Sequence, residues 1–376
     1  MSRLTKSFAL ALVLLTAPTA LAGSSSTVPG SWRKLPMAPV AIPQGPWSVW
    51  TGLEMIVFGR TPQTNPSVDV AEAYVPASHT WTQLTPPKGP DFTYGFAVVW
   101  TGKEMLAFGS AHSVAYSPST GTWRELPKRL PTPGGLFPGG IAVWTGREAI
   151  GWGGGCCGDA WSNGVAYNPV ANRYRNLPKS PLAASQGPVG AWTGRELDLF
   201  VGGFDPMDKA YPARLARAAA YSPKTNTWRR IAPLPGSDVR YSHLGSAVWD
   251  GREILVVGAG TKGRSAFAYN PRTNVWRTLA PLPASRAGAT AVWTGTLLFV
   301  WGGSNPRGTA QLPDGVAYNS KTDRWSTIPS APLRARYAPA VQWTGHELIV
   351  WGGGIPRKVG APRFVRDGAA FTPTAP

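Results

Sequence analysis

With 44 glycines, 38 prolines and 18 tryptophans among 376 residues, and only 15% of positions charged, this chain is too apolar and aromatic to be disordered and too rich in turn formers for a helical bundle. Its formal charge of +18, from 37 Lys and Arg against 19 Asp and Glu, favours anionic partners and solubility.

The opening MSRLTKSFALALVLLTAPTALAG carries Arg3 and Lys6, an apolar run from Phe8 to Leu15 and the small-residue pattern Ala20-Leu21-Ala22. This predicts a secretory signal peptide over 1–22 and an exported domain over 23–376, secreted or held in the cell envelope. No later apolar run is long enough to span a bilayer, so no transmembrane segment is expected. Without Arg3 and Lys6 the charge is +16, two below that of the whole chain, and the excess is concentrated in residues 190–376.

One unit then recurs seven times. Trp50, Trp100, Trp144, Trp192, Trp249, Trp293 and Trp343 open WTGLE, WTGKE, WTGRE, WTGRE, WDGRE, WTGTL and WTGHE. Apolar runs flank each copy, which predicts a hairpin of two buried strands with Gly at the turn. Between copies stands a second motif, AYxPxTxxW and its variants, with its aromatic at Tyr74, Tyr116, Tyr167, Tyr221, Tyr269, Tyr318 and Phe371. Pro presets a type I turn, and Asn226, Asn274 or Gly121 suits the left-handed position that follows. The unit is therefore a four-stranded antiparallel blade, and its spacing is that of propeller blades. Ser31 to Pro36 (SWRKLP) reads as a lone outer strand, and the final AAFTPTAP lacks one. Six whole units and this composite make an all-β, seven-bladed propeller closed by pairing of the N- and C-terminal strands.

The order of apolar strand, strand ending in Gly-Gly, Tyr and then Trp, with Arg in the loop before several blades, resembles the Kelch repeat of bacterial secreted proteins related to the central domain of galactose oxidase. Gly-Gly stands at Gly153-Gly154, Gly202-Gly203, Gly302-Gly303 and Gly352-Gly353 and is replaced in the other blades. The resemblance implies an arginine beside the central mouth, matched by Arg240, Arg286 and Arg336, where Kelch domains bind acidic peptides or sugar acids. It does not extend to copper, because no cluster of two tyrosines, two histidines and a cysteine-bonded tyrosine is found. No cofactor or metal is expected.

Alternating strands put the Thr-Gly hairpins and the Pro-type turns on one face, with short uniform turns. The longer loops lie on the other face, where function is expected. The repeated Glu and aromatic residues read as hairpin or inter-blade contacts. On the loop face, Arg240, Arg286 and Arg336 could fork onto a carboxylate, sulfate or phosphate, or could instead bond loop carbonyls and seal the axis. Cys156 and Cys157, adjacent in GWGGGCCGDAW beside Asp159 and Trp161, could form a strained vicinal disulfide, remain thiols or bridge to another chain.

These residues predict a monomeric binding or scaffold module for an anionic glycan, sugar acid or acidic peptide. Arg240, Arg286, Arg336, Trp161 and Asp159 would hold the ligand, and nucleic acid is not the expected partner of an exported chain. Two rivals follow from the same loops. One is a sugar-acid isomerase of the Kelch type with His243 or Asp238 as general acid or base. The other is a redox protein built on Cys156 and Cys157.

Overall fold

A computed structural model describes residues 26–42, 47–60, 69–87, 97–109, 113–127, 139–155, 160–202, 217–236, 245–260, 262–357, 360 and 362–374. Within them the chain forms seven four-stranded antiparallel sheets and one two-stranded ribbon, Gly354–Ile355 with Arg363–Phe364. No helix of the described residues is long and apolar enough to cross a membrane.

Six blades are contiguous in sequence: residues 47–84, 97–125, 141–176, 189–230, 246–278 and 290–327. The seventh takes Ala340–Trp343, Leu348–Trp351 and Gly368–Pro373 from the C-terminal part and Gly30–Lys34 from the N-terminal part. In it Trp32 pairs with Phe371 as Trp228 pairs with Tyr221 in the fourth blade, so the composite blade keeps the register of the others. Blade seven packs on blade one through Ile349 and Trp351 against Met55, Val57 and Tyr74.

The turn chemistry follows the expected pattern. Asn172, Asn226, Asn274 and Gly121 lie at positive φ after the Pro-type turns, and His79 and Asp323 fill the same place in blades one and six. Asn, Asp and Gly tolerate this conformation at low cost. The second strands are apolar on both faces, Asp198 of blade four excepted, because each blade is covered by two neighbours, and residues 55–58, 105–108 and 197–200 are all buried.

Between successive blades the second-motif tyrosines are sealed at 0–4% exposure, while the tryptophans of both motifs are only half-buried. The outer-strand indoles also act as polar tethers. Trp81, Trp228 and Trp325 donate to Pro36 O, Pro178 O and Ala280 O of the preceding blade at 3.1, 3.0 and 2.7 Å. A tryptophan here buries an apolar face and still satisfies its N–H.

Candidate functional site

On the loop face, Arg286 and Arg336 are each 2% exposed. Arg286 Nη1 donates to Gly302 O at 2.9 Å and Asp314 O at 3.0 Å, and its Nη2 donates to Asp314 Oδ1 at 3.0 Å. Arg336 repeats this with Gly352 O and Asp367 Oδ1, both at 3.0 Å. In place of an outside anion, each guanidinium holds the carbonyls and aspartate of its own blade. Burial pulls the Arg286 guanidinium below its ordinary pKa, and the nearby Asp314 opposes that shift.

Gly-Gly has its physical reason at the same place. A Cβ on Gly303, at φ +83°, would meet the Arg286 backbone at 2.8 Å. The arginine loop can therefore close down only on glycine.

Trp161 is half-buried in the loop of blade three. It is fixed there by Trp161 N–H donating to Gly154 O at 3.0 Å and by Ser185 N–H donating to Trp161 O at 3.1 Å. Cys156, Cys157, Asp159, Asp238, Arg240 and His243 lie outside the described residues. Of the other histidines, His79 is held in a turn by Arg33 and Tyr74, and His346 is exposed on a hairpin. Among the described residues no three His, Cys, Asp or Glu side chains gather as a metal-binding group.

The opposite, turn face carries a more open arrangement. A cavity of about 1270 Å³ spans the hairpins and Pro-type turns of blades three to five. Its wall includes Trp192, Trp249, Arg147, Arg195, Lys224 and Arg272. The acids of the wall, Glu148 and Glu196, are already neutralised by Arg175 and Arg229, each at 2.6 Å. The four cations named first are exposed, and their side chains make no ion pair among the described residues. A concave surface with surplus positive charge and two half-buried indoles is suited to an anion that also has an apolar face.

Sequence reasoning placed function on the longer loops and passed over these cations. Their signal was present at two fixed positions of the repeat. The residue after Thr-Gly is Arg in blades three and four, and the residue after the turn Pro is Lys or Arg in blades four and five. The hairpin positions of blades one, six and seven hold Leu53, Thr296 and His346.

The wall also exposes a repeated clamp. Arg175 Nη2 and Nε donate to both carboxylate oxygens of Glu148, Nη1 reaches Tyr221 Oη of the next blade at 2.8 Å, and Asn226 Oδ1 accepts a further bond at 3.0 Å. Arg124 makes the same set with Glu104, Tyr167 and Asn172, and Arg33 with Glu347, Tyr74 and His79. Arg229 and Arg277 grip Glu196 and Glu253. Five of the six repeated glutamates, Glu104, Glu148, Glu196, Glu253 and Glu347, are thus ties within and between blades.

No protein-family model and no curated protein sequence matches this chain. Among solved structures it is similar to a fungal alcohol oxidase of the AA5 family determined in complex with copper. The TM-score is 0.65 and the identity 17%, over 92% of this chain and 76% of that one. At this identity the likeness is one of fold. The chain is a seven-bladed β-propeller of the architecture seen in the galactose oxidase-like proteins.

Proposed function

We propose that this protein is an exported binding module that holds an anionic ligand, an acidic glycan above all, in the groove of the turn face between blades three and five. The observation that carries this reading is the set of four exposed cations, Arg147, Arg195, Lys224 and Arg272, around one cavity whose own acids are already paired. Trp192 and Trp249 add flat apolar surface on which a sugar ring can rest. The reading keeps the anionic partner expected from composition and moves it from the loop-face mouth, where Arg286 and Arg336 are committed to their own blades.

Titration of the mature chain with oligogalacturonate, against a neutral glucan of equal length, tests this reading. Affinity should appear for the acid alone and fall with added salt, because the contacts are solvent-exposed. Replacing all four cations by serine should cost roughly 1–4 kcal/mol, about five- to thousandfold in Kd. Equal binding of the neutral glucan, or affinity retained by the fourfold variant, would overturn it.

A further inference from the structure

The Arg–Glu pair of the clamp is present in five blades and removed as a whole in one. Blade six has Leu297 in place of Glu and Ser326 in place of Arg, and the next blade offers Phe371 instead of Tyr. Deleted as a unit, the network leaves no orphan charge.

Blade one differs from both cases. Thr82 occupies the arginine position, paired with Ala73 as Arg124 is with Ala115, and Gly121 of blade two occupies the asparagine position. Yet Glu54 and Tyr116, the two acceptors, remain. Among the described residues neither the Glu54 carboxylate nor the Tyr116 hydroxyl has a hydrogen-bond partner. Burial raises the pKa of both, and the Glu54 charge pushes Tyr116 further up. Thr82 and Gly121 are exposed, so the position that an arginine fills elsewhere opens to solvent.

We propose that this gap between blades one and two is a docking socket for an arginine side chain of a partner polypeptide. The chemistry is set by the filled copies. There a planar guanidinium gives two parallel bonds to a carboxylate and a third to a tyrosine hydroxyl, a pattern that an ammonium cannot reproduce. A polypeptide is favoured as its source because Leu53, at the tip of the same hairpin, is 80% exposed and offers an apolar contact for a residue flanking the arginine. The hairpin tip of blade one carries Leu53 where blades two to four carry Lys103, Arg147 and Arg195. The socket is independent of the groove, and either can fail alone.

The experiment uses the mature chain, isotope-labelled, with acetyl-Leu-Arg-Leu-amide as probe and acetyl-Leu-Lys-Leu-amide and acetyl-arginine amide as comparators at fixed ionic strength. The arginine peptide should give saturable amide shifts at Glu54, Thr82 and Gly121. The lysine peptide should bind roughly fivefold or more weakly, and the amino-acid amide should also bind more weakly than the peptide. Thr82→Arg should fill the socket from within, raise the melting temperature and abolish the shifts. Glu54→Leu, the residue type blade six already carries, should abolish them with the fold intact by melting curve. Equal response to the lysine peptide, shifts that survive either substitution, or no saturable shift would overturn the proposal. An acetyl-arginine amide that binds as tightly as the peptide would overturn the polypeptide source.

Discussion

Two buried acids set the behaviour of this propeller with pH. Asp198, fully buried in the second strand of blade four, has no hydrogen-bond partner for either carboxylate oxygen among the described residues. Burial, with the nearby Glu196 charge, pushes it up to about 7 against the pull of Arg229. Glu72 accepts a bond from Val40 N–H at 2.8 Å, but its second oxygen has no partner among the described residues, and burial raises it to about 7 despite Val40 and Arg366. Both folded-state values lie above those of the unfolded chain, so the folded state binds the extra protons. Their contribution is fully present below about pH 4 and is lost as pH rises through about 7. Thermal melts should therefore show stability falling between pH 5 and 8. Asp198→Leu should remove part of that slope and stabilise by about 1–3 kcal/mol at pH 8, with less effect at pH 5. A slope unchanged in this variant would show that Asp198 does not titrate there. The substitution matches the apolar residue at the same position of the other blades, such as Ile56, Leu106 and Ile150.

Blades are joined by the arginine clamp, and its worth lies in being complete. Arg175 and Glu148 are partly exposed, at 34% and 16%, which screens their attraction. Removing Arg175 alone leaves a half-buried carboxylate and the Tyr221 hydroxyl short of a donor. Arg175→Ser should therefore cost about 1–2 kcal/mol. The double change Glu148→Leu with Arg175→Ser, which copies blade six, should cost less than the two single changes added together. A denaturant double-mutant cycle measures that coupling, and additive values would mean that the clamp contributes nothing as a unit.

The clamp also marks the limit of what the chain revealed as sequence. Six copies of Trp-Thr-Gly and one of Trp-Asp-Gly exposed the blade count, the hairpins and the composite closing blade, because period-two strands and turn residues act locally. The arginine after each outer-strand aromatic, Trp or in blade three Tyr174, stands 20 to 33 residues from its Glu within blades two to five, and it pairs only through the sheet register. Its joint loss with Glu in blade six was the available signal. The groove was less legible still, since its cations come from four separate turns and only the disc brings them together. Arg286 and Arg336 were recognised as a motif, but whether a guanidinium faces a ligand or a carbonyl depends on depth, which spacing does not encode.

At the scale of the whole molecule, the ring is cut at one joint. Six blades connect their third and fourth strands by a short turn, which carries Pro in blades one to five. In blade seven that connection is replaced by the two ends of the described chain, with Thr374 N–H donating to Pro29 O at 3.0 Å. Trp32 locks the joint by donating to Pro329 O at 2.7 Å and packing on Trp301 and Phe371 with ring centroids 5.1 and 5.3 Å apart. Trp32→Ala should therefore cost about 2–4 kcal/mol, a large effect for a partly buried residue near a chain end. The same joint imposes a kinetic cost, because Gly30–Lys34 must find Gly368–Pro373 across almost the whole sequence, and contacts of long separation slow folding. A circular permutant that moves residues 27–36 behind residue 374, joined by a Thr-Asn turn of the kind used in blade four, makes blade seven contiguous. Its equilibrium stability should stay close to that of the parent while stopped-flow refolding becomes faster. Refolding at the parental rate would mean that ring closure is not the slow step and that an earlier event, such as blade-on-blade docking, limits the rate.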